Sequence, residues 1–195
     1  MWDPKRAPGE RGAEETYNLS DALAVAVWLN VFVRQSKFVS MANIAQSVNV
    51  ISPLMTTQDG LVKQSTWWPL LLFSKYMRGS LISIRLFCST YEGETEPQWL
   101  RNTMETPWLD VSATTNLGMV SLVVVNLHPT KESSVTLNFL PIGEGMIKVY
   151  TVSASTWDAT NTAEKEMVGM KESKWNGQGQ YRFPSKSITM LRWKR

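Results

Sequence analysis

The sequence predicts a short α/β segment followed by an all-β antiparallel sandwich, and three observations predict it. An almost wholly apolar stretch with helix-capping signals runs from Asn18 to about Gln35. A short β-branched run, Ser47–Ser52, then separates it from a second helical pattern that ends at Gly79. Beyond Gly79 the period of the apolar residues changes from that of a helix to that of a strand. Helix, strand, helix is the grammar of a parallel α/β fold, whereas many short alternating runs argue for an antiparallel sandwich.

Residues 1–17 contain Pro4, Pro8, Gly9 and Gly12 among mixed charges and read as an exposed loop. Asn18 or Ser20 can cap the first helix, with Asp21 favourable in its first turn. The helix is apolar nearly all round, which predicts burial on several sides. Met41–Gln46 has the composition for a further helical turn. Ser47–Ser52 (SVNVIS), stopped by Pro53, is expected as a buried strand. Gln58-Asp59-Gly60 is a turn signal, and Pro69–Arg78 is helical with Gly79 as its stop. The expected later strands are Ser80–Ser89, Trp108–Thr115, Met119–Leu127, Ser134–Leu140, Met146–Ser153 and Ser187–Trp193. Ile82, Ile84, Leu86 and Cys88 keep period two, as do Val135, Leu137 and Phe139. One buried strand cannot make a sheet, so the first 79 residues read as a fragment of a larger α/β unit.

Composition removes several functional classes. A formal charge of +3 with Lys and Arg scattered among 17 acidic residues argues against nucleic acid. Cys88 is the sole cysteine and His128 the sole histidine, so a disulfide, a thiol–histidine pair and a structural zinc site all lack material. Cys88 reads as a small buried hydrophobe, and His128, before Pro129, as a turn residue. The apolar run Ala22–Val33 is about 12 residues, well short of the roughly 20 that span a bilayer. Glu14, Glu15 and Asp21 also lie where a signal peptide lacks acids, so no membrane segment or leader is expected within these residues.

Five runs carry a resemblance: MWDPKRAPGERGAEETYNLSDALAVAVWLNVFVR (Met1–Arg34), MANIAQSVNVISPLMTTQDGLVKQSTWWPLLLFSKYMRG (Met41–Gly79), YEGETEPQW (Tyr91–Trp99), TPWLDVSAT (Thr106–Thr114) and SITMLRWKR (Ser187–Arg195). Together they resemble the α-L-arabinofuranosidases of glycoside hydrolase family fifty-one, of fungal type, over nearly the whole chain. The resemblance implies a (β/α)₈ TIM barrel followed by a jelly-roll-like β-sandwich. Residues 1–79 would be the C-terminal remnant of the catalytic barrel, holding its last strand and helices, and residues 80–195 the C-terminal sandwich domain.

It also implies retaining chemistry, in which one Glu protonates the departing oxygen and a second attacks the anomeric carbon. The family nucleophile stands in a Glu-Trp-Asn-Val-Trp motif, of which Trp2 looks like the last residue, with Met1 in place of Val. Both catalytic Glu would then lie upstream of Met1, and the chain alone is expected to be inactive. The local acids Glu14, Glu15, Glu92, Glu94 and Glu96 sit in polar loops, where a solvated face is the default.

By the same resemblance, Gln64 matches a glutamine that hydrogen-bonds arabinofuranose, and Trp2 an aromatic at the pocket mouth. Without it, Gln64 is a loop glutamine and Trp2 a packing residue. Trp67 and Trp68 read as packing residues. No cofactor or metal is implied. The expected partner is an arabinofuranosyl-containing polysaccharide or oligosaccharide met through a full-length enzyme, itself a possible homo-oligomer and secreted like its relatives. Asn18-Leu19-Ser20 is a glycosylation sequon whose occupancy should be low if Asn18 caps the helix. A stand-alone carbohydrate-binding sandwich using Trp99, Trp108, Trp157 and Trp175 is the alternative.

Overall fold

A computed structural model describes residues 15–58, 60–91, 105–138 and 145–195. The first helix, α1 (Leu19–Arg34), begins where the capping signals place it. Asn18 accepts from the backbone N–H of Asp21, and Asp21 accepts from that of Asn18, which closes a capping box. Leu19, Ala22, Leu23, Ala26 and Asn30 form its buried stripe at spacings of three and four. The opposite side carries Trp28, 62% exposed, so burial on several sides is not found among the described residues.

Two short strands, β1 (Leu54–Thr57) and β2 (Gly60–Lys63), form a hairpin about the expected turn. The strand expected at Ser47–Ser52 does not form. Asn49 and Ile51 take left-handed φ values of 69° and 44°, and Val48 makes only an isolated bridge to Leu54. The Asn49 side chain accepts from the N–H and hydroxyl of Thr56 and so serves the hairpin. A parallel strand needs flanking strands to pair its backbone, and the described residues supply none. Met41–Gln46 is likewise irregular. The second helix, α2 (Trp67–Tyr76), starts two residues before the expected position, with Pro69 in its first turn.

The short strands β3 (Ser80–Ile82), β4 (Thr90–Tyr91) and β5 (Thr106–Pro107) precede the long ones. The rest are β6 (Leu109–Asn116), β7 (Met119–Asn126), β8 (Ser133–Thr136), β9 (Ile147–Ser153), β10 (Gly169–Trp175), β11 (Gln180–Phe183) and β12 (Ser187–Lys194). Among the described residues β10-β9-β12-β7-β6-β3 make one antiparallel sheet, while β11-β8 and β4-β5 are separate ribbons. The expected strand Ser80–Ser89 therefore shortens to its first three residues.

The pleat sends alternate residues of the large sheet into two cores. Val123, Val125, Tyr150, Val152, Ile188 and Met190 pack under Leu19, Leu23, Leu72 and Phe73 of the helices. On the other face Val120, Leu122, Val124, Val149 and Leu191 meet Phe183 of β11, with Val135 of β8 packed beside them. Both faces are thus covered, which explains why β7 (MVSLVVVN) is apolar almost continuously. One helix face locks to β6 through a polar network. Buried Asn30 donates to Asp110 at 2.7 Å and accepts from Ser112 at 2.5 Å, and Arg34 grips both Asp110 oxygens at 3.0 and 2.9 Å.

Candidate functional site

Gln64 follows β2, and its side chain lies at a buried junction of three segments. It is 2% exposed, and its backbone N–H donates to Pro53 O at 2.9 Å. Its Oε1 accepts from the Tyr17 N–H at 2.8 Å, and its Nε2 donates to Glu15 O at 3.0 Å and Ser52 O at 2.8 Å. Both amide hydrogens and one oxygen lone pair are therefore committed to main chain. A sugar hydroxyl meeting this side chain finds one remaining acceptor position. Next to it, Ser65 Oγ donates to Asn18 O at 2.6 Å, which ties the hairpin to the start of α1. Two residues on, Thr66 Oγ1 is buried with no partner among the described residues.

The loop between β9 and β10 completes this junction. Asn161 donates to Lys63 O and Val168 O, both at 2.8 Å, and accepts from the N–H groups of Met167 and Val168. Leu19 N–H and Ser20 N–H donate to Ala159 O and Trp157 O. The sequence reading passed over Asn161, because an Asn in a polar loop carries no signal of the four bonds it makes. Trp68 donates to Val168 O at 2.9 Å and packs in the helix-side core, so it is a packing residue.

The other expectations fall as follows. Trp2, Glu14, Glu92, Glu94, Glu96 and Trp99 lie outside the described residues. Glu15 is not a solvated loop acid but is buried at the Gln64 junction, because its carbonyl is one of the groups that junction needs. Asn18 is half-buried and occupied in capping, with Ser20 Oγ donating to its Oδ1 at 2.7 Å. His128 is a turn residue: its Nδ1 accepts from the N–H groups of Thr130 and Lys131, and its ring lies against Trp108. Cys88 is half-buried beside the second core. Among the described residues no group of three or more His, Cys, Asp or Glu is placed to hold a metal ion. No helix among them is long and apolar enough to cross a membrane. A groove of about 470 Å³ beside β3 and β6 is lined in part by the Arg34–Asp110 pair, whose charges already satisfy each other.

One titrating pair stands out, at the C-terminal end of α2. Tyr76 and Tyr150 stack with centroids 5.1 Å apart and share a hydrogen bond of 3.3 Å. Burial pushes the Tyr150 hydroxyl up to about 12, helped by Tyr76 and Glu172 and opposed by Arg192. Burial also acts on Tyr76, but its bonds to Tyr150 and Lys75 and the charges of Lys75 and Arg192 draw it below the ordinary value. Because Tyr150 is raised in the folded chain, its contribution is complete below pH about 10 and lost as pH climbs towards 12. Urea midpoints should therefore fall across that window, and Tyr150→Phe should flatten the fall. Parallel pH profiles for the two proteins would remove Tyr150 as its cause.

Comparison with known proteins agrees with this architecture. A family model for the α-L-arabinofuranosidase C-terminal domain matches residues 1–187. The chain is 60% identical over 195 residues to α-L-arabinofuranosidase C of Emericella nidulans, covering 100% of this chain and 38% of that protein. It is also 60% identical over the same length to the probable α-L-arabinofuranosidase C of Aspergillus terreus, again 38% of that protein. The chain thus spans well under half the length of these relatives. Among solved structures, an α-L-arabinofuranosidase from Thermotoga maritima in complex with arabinose superposes with a TM-score of 0.86 at 22% identity, over 97% of this chain and 41% of that one. A family-51 enzyme from Thermotoga petrophila gives 0.84, also at 22% identity, over 97% of this chain and 41% of that one.

Proposed function

The chain belongs to the α-L-arabinofuranosidase C-terminal domain family, and from that premise we propose that it is the C-terminal portion of a retaining α-L-arabinofuranosidase. The parent enzyme removes terminal non-reducing α-L-arabinofuranosyl groups from arabinan or arabinoxylan. The observation that carries this reading is the 60% identity across all of this chain to an α-L-arabinofuranosidase of whose length it covers 38%. In this reading residues 1–79 are the last strand and helices of a (β/α)₈ barrel, and residues 80–195 its jelly-roll-like sandwich. Both catalytic Glu belong to the barrel upstream of Met1, while Gln64 hydrogen-bonds the arabinofuranose and Trp2 stands at the mouth of the pocket. The parent is extracellular and can self-associate.

The irregular Ser47–Ser52 segment is what a barrel strand without its neighbours would give, since it has nothing to pair with. A stand-alone carbohydrate-binding role finds less support. Trp108 is in ring contact with both Tyr91 and His128, and Trp175 with Tyr181, so both rings are engaged within the fold. The test is an assay with an aryl α-L-arabinofuranoside. The 195-residue chain should give no turnover above buffer, and a longer polypeptide that supplies the barrel should give it. Activity in the purified chain, abolished by mutating one of its own Glu residues, would overturn the reading.

A further inference from the structure

The described residues do not cover the sheet face that carries α1 and α2 along its whole length. Past the C-terminal end of α2, one row of the ladder reads Lys174 on β10, Lys148 on β9, Arg192 on β12 and Ser121 on β7, each opposite the next. Two residues along each strand the same face carries Glu172, Tyr150, Met190 and Val123, the last three in the helix-side core. The pleat therefore turns Lys174, Lys148 and Arg192 to the helix side, just beyond the helices. Lys194 repeats that orientation two residues after Arg192. Lys75 reaches the same place from α2, 5.2 Å over the ring of Tyr76. Lys75, Lys148, Lys174 and Lys194 are exposed and Arg192 is half-buried.

This row is electrostatically unbalanced. Along β10, β9, β12 and β7 Glu172 is the one carboxylate among the paired positions of this face, Asp110 on β6 being held by Arg34, and no ion pair among the described residues engages any of the five cations. Like charges directly opposite in a ladder destabilise a sheet. Lysines on an edge strand are a common guard against edge-to-edge pairing, which accounts for Lys174 on β10. It does not account for Lys148 and Arg192, whose strands lie inside the sheet. Arg192 is moreover held in place, with Nε donating to Ser121 Oγ at 3.3 Å and its guanidinium 4.4 Å over Tyr76.

We propose that this row binds a carboxylated polysaccharide. Adjacent strands are roughly 4.8 Å apart, so Lys174, Lys148 and Arg192 set three cations in a line about 10 Å long. A line suits a linear polymer with a carboxylate on successive sugars better than a single small anion. Single-stranded nucleic acid is the poorer fit, because it wants a free aromatic face for its bases. The ring of Tyr76 is taken by Tyr150, Arg192 and Lys75. The choice of a polysaccharide rests on the reading given under Proposed function, where the parent acts on polysaccharide.

The test is affinity electrophoresis of the intact chain in gels containing polygalacturonate, neutral arabinan or single-stranded DNA. Polygalacturonate should retard the chain, and rising salt should abolish the effect. The double variant Lys148→Gln/Lys174→Gln should lose at least about tenfold in affinity, as expected where two charge-assisted contacts go. Lys37→Gln/Lys165→Gln, which removes the same net charge elsewhere, should keep it. Relief of the opposed charges should leave the Lys148→Gln/Lys174→Gln melting temperature no lower than that of the parent sequence, so misfolding cannot imitate the result. Equal weakening by both double variants, no retardation at low salt, or equal retardation by DNA at matched charge would each overturn the proposal. Arabinofuranosidase activity of the longer polypeptide is read separately. Its presence without polyuronate binding sinks this inference alone, and its absence with binding sinks the enzymatic reading alone.

Discussion

Gly79→Ala is expected to destabilise the chain by about 3 kcal/mol, a drop of roughly 10 °C in melting temperature for a chain of this size. Gly79 joins the end of α2 to β3 with φ of +86°, in the left-handed region. An L-residue there costs about 1–2 kcal/mol on conformation alone. Space adds a second term. A Cβ on Gly79 would fall inside contact distance of the Thr115 carbonyl oxygen and 2.8 Å from Asn116 Cβ. Thr115 is the register partner of Ser80, so the backbone cannot yield without lifting β3 off β6. Gly118, in the turn between β6 and β7, is the control: its φ is +77°, and a Cβ there would meet none of the described residues within 4 Å. Gly118→Ala should therefore show the conformational term alone. Urea unfolding of both variants separates the two terms, and equal losses would mean that the close approach to Thr115 carries no weight.

How much of this was legible depends on which partner each element needs. The helix α1 carries its own instructions, with Asn18 and Asp21 at the cap and an apolar stripe at helical spacing, and it formed within a residue of expectation. The strands β7, β9 and β12 carry apolar residues on both faces because both faces of the sheet are buried there, and they too were evident, as was β6. The edge strand β10 (GMKESKW) was missed, since its exposed charged residues erase the apolar alternation that marks a strand. Ser47–Ser52 shows the opposite error: β-branched residues state a preference that only neighbouring strands can realise. Polar junctions were the least legible. Asn30, Gln64 and Asn161 are all buried, yet nothing in the sequence around them distinguishes an amide that holds three segments from one in solvent. Gln64 was singled out only through the family resemblance, and that resemblance implied a sugar contact, not the three main-chain bonds found here.

Gln64→Leu should cost the chain about 3 kcal/mol, because it removes three side-chain hydrogen bonds worth about 1 kcal/mol each. The three groups left behind are Tyr17 N–H, Glu15 O and Ser52 O. With the site 2% exposed, water cannot readily replace the amide, and an unsatisfied buried group forfeits its desolvation cost. Leucine is close to glutamine in bulk, so a cavity contributes little and the loss reports on hydrogen bonding. The damage should be local as well as global. Hydrogen exchange of the Tyr17 amide and of the hairpin amides should accelerate, while amides of β7 and β12 keep their relative order of protection. A sugar-binding role adds a second, separable effect. In a longer polypeptide with a working barrel, Gln64→Ala should lower kcat/KM by roughly 10–100-fold if the remaining lone pair of Oε1 meets the arabinofuranose in the transition state. The assay is run at a temperature where circular dichroism shows the variant folded, so that unfolding does not pass for lost chemistry. A stability loss with unchanged kinetics would leave Gln64 as a joint between α1, the hairpin and α2, and would take it out of the sugar pocket.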